Sequence, residues 1–111
     1  MNLDQALYTF IEESRELLAE MEDSLLRMHT EAQSPDAIHA IFRAAHTIKG
    51  SAGLFGLDSV VAFTHVAESL LDEVRNGYVA LTEPLVQLLL ACCDHMYALI
   101  NAIEQKDSQE G

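Results

Sequence analysis

A histidine at position 46 stands one helical turn before Lys49 and Gly50 and about two turns before Gly53, a combination that could perform nucleophilic chemistry. At about 100° per residue along a helix, His46 lies about 110° from the centre of the apolar stripe of its segment. That stripe consists of Ile38, Ile41, Ala45, Ile48, Ala52 and Phe55. The imidazole is therefore expected at the surface, with Lys49 bringing a positive charge to the same neighbourhood. An exposed imidazole is a nucleophile that a partner can reach.

Gly50 and Gly53 lie on the same polar face as His46, together with His39 and Arg43. Each glycine inside a helix costs about 1 kcal/mol relative to alanine, so the pair requires an explanation. One explanation is close packing against a neighbouring helix. The other is room for a second protein to reach the imidazole. Periodicity alone leaves both open.

The overall composition indicates one compact domain. The chain has 111 residues, of which 50% are hydrophobic, enough for a single core. No segment approaches the run of about 18 uninterrupted apolar residues that a membrane-spanning helix needs, so none is expected. The first residues, MNLDQALYTF, contain an acid and no Lys or Arg, unlike a secretory signal or a transit peptide. A cytoplasmic location is therefore expected.

The charge of the chain is strongly acidic. Six Lys and Arg residues stand against eighteen Asp and Glu residues, which gives a formal net charge of −12. Such a chain repels phosphate backbones and anionic lipid surfaces. Nucleic acids and membranes are therefore not expected as partners.

The two cysteines, Cys92 and Cys93, are adjacent in a helical pattern. Adjacent helical cysteines suit neither a structural disulfide nor a CxxC metal or redox site. We expect reduced thiols at the edge of the core.

Helical periodicity predicts four helices, and almost no strand pattern is present. They run from about Leu3 to Met28, from Pro35 to about Gly53, from Asp58 to the stop at Gly77, and from Thr82 to about Gln105. Short connections make sequential helices antiparallel, which predicts an all-α, up-down four-helix bundle. Residues 1–105 are expected to form this domain. Residues 106–111 contain no apolar side chain and are expected to form a polar tail or the start of a linker.

Helix signals and apolar stripes support these boundaries. Ser34 and Asp58 are expected to cap the second and third helices, and Pro35 suits a first helical position. Gly77 is expected to end the third helix. The predicted buried stripe of the third helix is Val60, Phe63, Ala67, Leu70 and Val74, and that of the fourth is Leu85, Leu88, Leu89, Cys92, Met96, Leu99 and Ile103.

The turn between the second and third helices, centred near Phe55 and Gly56, predicts what faces His46. A residue ten positions before Gly56 should lie level with one about ten positions after it, and that level contains His65 and Glu68. Glu68 can accept a hydrogen bond from Nδ1–H of His46, which would leave a lone pair on Nε2 as the nucleophile. Lys49 would offset the charge of an incoming phosphoryl group. For Glu68 or His65 judged alone, a solvated polar face is the better explanation. That explanation weakens when His46, Lys49 and the two glycines are considered together with them.

The stretch FRAAHTIKGSAGLFGL, followed by THVAESLLDEVRNG, closely resembles histidine phosphotransfer (HPt) domains, in particular the N-terminal phosphotransfer domain of the CheA family of chemotaxis histidine kinases. The resemblance covers nearly the whole chain and is most specific over residues 41–77. It implies that His46 is the phosphoacceptor. It also implies that Lys49 and Glu68 are the supporting lysine and glutamate, and that His65 matches a further active-site histidine.

The resemblance further implies the partners of the domain. A separate kinase catalytic domain would hold ATP and Mg²⁺ and phosphorylate His46, and the phosphoryl group would pass to an aspartate of a CheY-like receiver domain with its own Mg²⁺. The domain itself would need no cofactor and would not be an enzyme alone, since neither GxxxxGK[ST] nor GxGxxG occurs. Arg43, Gly50 and Gly53 would form the docking surface of a monomeric domain.

The chain differs from the chemotaxis phosphotransfer domains in one feature, and two other classes of helix bundle are alternatives to a phosphotransfer domain. Chemotaxis domains often have a fifth helix, which this sequence does not supply before Gly111. Truncation or a four-helix subtype would explain this, and a free-standing HPt protein of another phosphorelay is an alternative. A non-catalytic adaptor bundle would not explain an exposed histidine beside two glycines. A metal-binding bundle is not expected, because the Glu-x-x-His pairs of di-metal bundles are absent.

Overall fold

The computed structural model describes residues 3–30 and 35–110, and within these ranges the chain forms four α-helices. They are α1 (Leu3–Thr30), α2 (Pro35–Leu54), α3 (Asp58–Arg75) and α4 (Glu83–Glu110). α2 packs along α3, α1 packs against α2 and α4, and α3 packs against α4. The predicted up-down four-helix bundle is therefore confirmed.

Glycines in the left-handed region end the two central helices. The backbone φ angle is +66° at Gly56, after α2, and +81° at Gly77, after α3. A side chain at such an angle would be strained, so glycine is favoured. After α3, the N–H of Tyr78 donates to the carbonyl of Glu73 at 2.9 Å, and the end of α2 has the corresponding bond. This pattern satisfies the last carbonyls of each helix and confirms the predicted stop at Gly77.

The starts of the helices agree with the sequence signals in part. α2 begins at Pro35 as predicted, whereas the expected cap at Ser34 lies outside the described residues. α4 is capped at Thr82, whose hydroxyl oxygen accepts a hydrogen bond from the N–H of Leu85 at 3.3 Å. The expected Asp58 cap is wrong, because the tight turn leads into α3 one residue earlier and Asp58 is already helical.

Residues from each of the described helices form one hydrophobic core. In α2 the buried residues include Ile38, Ile41, Ala45, Ile48 and Ala52, as predicted. In α3 and α4 the buried face is rotated relative to the prediction. The buried positions are Val60, Thr64, Ala67, Glu68 and Leu71 in α3 and Val86, Leu89, Cys93, Met96 and Ile100 in α4. Leu88, which was expected inside, is 53% exposed.

α4 is longer than predicted. The expected end near Gln105 is wrong, because the helix runs to Glu110 through a segment, KDSQE, that contains no Gly or Pro. The assignment of residues 106–111 to a tail or linker stays a prediction. By length and composition Glu83–Lys106 is also apolar enough to cross a membrane, contrary to the expectation from the sequence. One face of this helix is buried in the bundle core.

The two cysteines on α4 are free thiols, as predicted, but Cys93 lies inside the core and not at its edge. Cys93 is buried and Cys92 is half-buried. Burial, with a smaller effect of nearby negative charge, raises the pKa of Cys93 to about 12. A thiol with such a pKa is a packing residue rather than a nucleophile.

Candidate functional site

A hydrogen-bonded group of three side chains joins α2 to α3. Nδ1 of His46 lies 2.8 Å from Oε2 of Glu68, and Nζ of Lys49 donates to Oε1 of the same carboxylate at 2.7 Å. Each carboxylate oxygen therefore has a partner from α2. Glu68 is buried, with 9% of its surface exposed, whereas the side chain of His46 is 65% exposed. A buried anion thus holds one edge of an imidazole that solvent can reach.

The register of the α2–α3 pair brings these residues together. His46 and Lys49 are three positions apart on α2 and so share one helix face. The turn at residues 55–57 brings α3 back along that face, which places Glu68 level with both. The predicted exposure of His46 and its predicted hydrogen bond to Glu68 are confirmed.

The protonation state of Glu68 determines which nitrogen of His46 has the hydrogen. Burial alone would raise the pKa of the Glu68 carboxyl, but hydrogen bonds and positive charge from Lys49 and His46 hold its pKa below the ordinary value. The group is therefore a carboxylate, which can only accept hydrogen bonds. The proton of the 2.8 Å bond must belong to Nδ1 of His46. In a neutral imidazole this leaves the lone pair on Nε2.

Lys49 bonds to Glu68, a contact that was not predicted from the sequence, and its predicted role toward a phosphoryl group stays a prediction. The sequence suggested that its ammonium group offsets the charge of an incoming phosphoryl group. In the structure the ammonium group bonds to Glu68, and the side chain is 23% exposed. Its hydrogen bond and its charge lower the pKa of the Glu68 carboxyl, whose other oxygen bonds to His46.

Two residues beside His46 were not predicted from the sequence. The ring of Phe42 stacks on the His46 imidazole, with ring planes 10° apart and centroids 6.3 Å apart. Cζ of Arg75, at the end of α3, lies 4.0 Å from the centroid of the Phe42 ring. Arg75 also bonds to Asp72 one turn earlier. Phe42 lies four residues before His46 on the same helix, so counting residues along the helix could have predicted their contact. The contact of Arg75 with Phe42 could not be predicted in this way, because it depends on how α3 is aligned with α2.

The other predicted site residues lie at the surface near this group. His65 is exposed one turn before Glu68 on α3. Within the described ranges, no hydrogen bond or ion pair joins His65 to His46 or Glu68. Arg43 is exposed on α2, and its carbonyl accepts a hydrogen bond from the hydroxyl of Thr47 at 2.9 Å. The structure therefore joins Lys49 and Glu68 to His46 but leaves His65 and Arg43 at the rim.

The two glycines of α2 are exposed and have open space around them. Apart from the chain neighbours and the backbone of its own helix, a Cβ atom built at Gly50 or Gly53 meets no atom within 4 Å. Close helix packing therefore does not explain these glycines. The explanation that remains is room for a second protein to reach the imidazole, since the two glycines leave a surface without side chains on the C-terminal side of His46.

The remaining histidines and acidic residues that the structure describes were considered as metal ligands. Among the residues that the structure describes, no group of three or more His, Cys, Asp and Glu side chains could hold a metal ion. His39 is exposed, and the ring of His95 packs against Phe63 with centroids 4.4 Å apart. The side chain of His29 lies outside the described residues.

Comparison with known proteins identifies the family. A family model described as the Hpt domain matches residues 5–108. The chain belongs to the Hpt domain family. The resemblance found in the sequence is therefore confirmed, and the match covers α2 and α3 completely and all but two residues of α1 and of α4.

Curated relatives of this Hpt domain are chemotaxis proteins. It is 41% identical over 110 residues to the chemotaxis protein CheA of Salmonella typhimurium, covering 99% of this chain and 16% of that protein. It is 38% identical over 102 residues to CheA of Rhizobium meliloti, covering 92% of this chain and 14% of that protein. The chain therefore spans about one sixth of the length of these relatives.

Solved structures share the fold of this Hpt domain. The CheA phosphotransferase domain from Thermotoga maritima is 30% identical, with a TM-score of 0.85 over 93% of this chain and 98% of that one. The phosphorylated P1 domain of CheA3, in complex with CheY6 from R. sphaeroides, is 27% identical, with a TM-score of 0.88 over 95% of this chain and 82% of that one.

The lowered pKa of Glu68 predicts how stability depends on pH. Between the folded pKa and about pH 4.5, the unfolded chain binds more protons at this group than the folded chain. The contribution of Glu68 to the free energy of unfolding is therefore full at pH 7 and decreases as the pH falls below about 4.5. We expect wild type to be more stable than Glu68→Gln at pH 7, by a margin that shrinks towards pH 3. Urea denaturation of both proteins at several pH values measures this margin, and a margin that grows on acidification would contradict the assignment.

Proposed function

We propose that this Hpt domain receives a phosphoryl group on Nε2 of His46 from a histidine kinase catalytic domain and passes it to an aspartate of a CheY-like receiver domain. The observation that supports this most directly is the bond from Nδ1 of an exposed His46 to a buried carboxylate. It leaves the lone pair on the free nitrogen. Family membership supports the reaction class, and the related CheA3 domain has been crystallised phosphorylated and bound to CheY6.

In the first step, the lone pair of Nε2 attacks the γ-phosphorus of ATP. The N–P bond forms while the bond from phosphorus to the bridging oxygen breaks, and its electron pair leaves with ADP. Because Nδ1 keeps its proton, the imidazole becomes positive as the N–P bond forms. The Glu68 carboxylate, 2.8 Å from Nδ1, stabilises that charge from a buried position. Lys49 keeps the carboxylate ionised for this task.

The second step reverses the changes at the ring. A carboxylate oxygen of the receiver aspartate attacks phosphorus, and the N–P bond breaks. The electron pair returns to Nε2, so the imidazole is again neutral with its proton on Nδ1. No proton has to move at His46 in either step, because the bond to Glu68 is present throughout. The hydrogen bond to Glu68 thus sets the tautomer of His46 before the reaction, so no proton transfer at the ring slows either step.

The surface around His46 suits a protein partner. Gly50 and Gly53 leave open space on α2 one and two turns after His46, and Arg43 is exposed on the same helix. Arg43, Lys49 and Arg75 are half of the six Lys and Arg residues in a chain of net charge −12. Lys49 and Arg75 form ion pairs with Glu68 and Asp72, so with Arg43 they make the surface around His46 less acidic than the rest of the chain. This would reduce its repulsion of the phosphoryl group and of the acidic acceptor site.

The whole protein we propose is a cytoplasmic chemotaxis histidine kinase that contains this chain as its phosphotransfer domain. The kinase domain would supply ATP and Mg²⁺, and the receiver would supply its own Mg²⁺. The domain itself would bind no cofactor, would catalyse no reaction alone and would act as a monomer. Its relatives are about six times longer, which is consistent with a domain of a larger enzyme.

Phosphorylation should occur on one residue. Incubation with a CheA kinase domain, ATP and Mg²⁺ should give one acid-labile phosphate per chain, on His46, because that imidazole combines exposure with the Glu68 bond. Mass spectrometry under alkaline conditions measures the stoichiometry and the site. His46→Gln should abolish labelling, and His39→Gln should leave it unchanged. Phosphate on His39 or His65 in the wild-type protein would contradict the proposal.

Gly50→Leu should separate docking from folding. The new side chain would enter open space one turn from His46, so it should obstruct an approaching kinase or receiver. The domain should be no less stable than wild type, because replacing a helical glycine in open space helps by up to about 1 kcal/mol. Phosphotransfer kinetics and thermal denaturation measure the two effects. Ala98→Leu, at an exposed position of α4, is the matched control. Normal transfer by Gly50→Leu would place the docking surface elsewhere.

A further inference from the structure

The imidazole of His46 contacts neighbouring side chains in two different ways. Its Nδ1 edge bonds to Glu68 at 2.8 Å, and its face lies parallel to the ring of Phe42, with planes 10° apart. The centroid separation of 6.3 Å is within the range of offset-stacked aromatic pairs. Phe42 is half-buried and packs against the core, so it is a fixed neighbour, whereas His46 is exposed.

The hydrogen bond to Glu68 does not define the plane of the ring by itself. The torsion that turns an imidazole about its Cβ–Cγ bond has broad minima, and a carboxylate oxygen accepts hydrogen bonds over a wide range of directions. A ring bonded only at Nδ1 could therefore tilt, and Nε2, on the opposite side of the ring, would move with it. A parallel aromatic face limits that tilt.

Arg75 in turn holds the ring of Phe42. Its guanidinium carbon lies 4.0 Å from the ring centroid, a cation–π distance, and Asp72 bonds to the guanidinium group from one turn earlier on α3. The contact therefore ties a residue of α2 to the last turn of α3. The sequence of contacts runs from Asp72 through Arg75 and Phe42 to His46.

We propose that Phe42, held by Arg75, is a positioning residue that orients the plane of the His46 imidazole and thereby the direction of the Nε2 lone pair. The inference rests on the proposed function, since it concerns the same nucleophile. Glu68 selects the tautomer, and Phe42 selects the ring plane. Attack on phosphorus requires the lone pair to point along the line of the breaking bond, so a tilted ring lowers the rate of transfer and not the affinity for the partner.

Phe42→Leu tests the role of the ring, and Phe63→Leu is the matched control. Phe63 is also half-buried, packs against the same core and contacts a histidine ring, that of His95 on α4. Both variants lose an aromatic ring of similar burial, but only Phe42→Leu changes the surroundings of His46. We expect Phe42→Leu to lower kcat for phosphorylation roughly three- to tenfold with little change in KM for the kinase domain, and Phe42→Tyr to restore kcat.

The order of the His46 ring provides a readout that does not depend on activity. Carbon-13 relaxation of the imidazole Cε1–H group gives an order parameter on the picosecond to nanosecond timescale. It should fall in Phe42→Leu and, to a smaller extent, in Arg75→Ala. It should be unchanged in Phe63→Leu and in Arg27→Ala, where the lost arginine belongs to an exposed ion pair with Asp23 on α1.

The outcomes separate this inference from the proposed function. If wild type is phosphorylated on His46 but Phe42→Leu has normal kcat and a normal order parameter, the positioning role is wrong and the phosphotransfer function stands. An effect of Phe42→Leu on KM alone would assign Phe42 to docking and would also overturn the inference. If wild type is not phosphorylated on His46, the proposed function fails, whereas the order parameters still test the effect of Phe42 on the ring.

Discussion

The chemistry of this domain depends on one buried carboxylate that accepts two hydrogen bonds from the neighbouring helix. Glu68 is buried on α3 and contacts Nδ1 of His46 and Nζ of Lys49 on α2 at 2.8 and 2.7 Å. Burial of an unpaired carboxylate would be costly, and the two donors offset that cost. The pairing also places the proton on Nδ1 and leaves Nε2 free on the exposed ring. The same interaction therefore joins two helices and would define the nucleophile of the proposed phosphotransfer.

The sequence was sufficient to locate this interaction because it depends on helix geometry and one short turn. Residues 38–52 have an unambiguous apolar stripe, so the position of His46 relative to the core follows from counting. The glycine near the α2–α3 turn defines where the chain reverses, which places Glu68 level with His46. Both features are local, and both were confirmed. The open space around Gly50 and Gly53 required coordinates, because periodicity cannot distinguish close packing from exposure.

Elsewhere the sequence was ambiguous for identifiable physical reasons. In α4, apolar residues occur in adjacent pairs such as Leu88–Leu89 and Cys92–Cys93, so a stripe can be drawn through either member. The structure buries Leu89 and Cys93. In α3, Thr64 is buried but was not included in the predicted stripe because its side chain is polar. The contact of Arg75 with Phe42 was missed because side-chain reach across two helices depends on rotamers that a helical count does not contain.

Nitrogen-15 NMR of the His46 imidazole shows which of its two ring nitrogens holds the proton. In spectra recorded at alkaline pH, with the ring neutral, wild type should show a protonated Nδ1 and an unprotonated, pyridine-like Nε2, because Glu68 accepts the Nδ1 proton. Glu68→Ala should lose this preference while remaining folded. A wild-type spectrum with the proton on Nε2 would contradict the account, since the exposed nitrogen would then have no lone pair for attack on phosphorus.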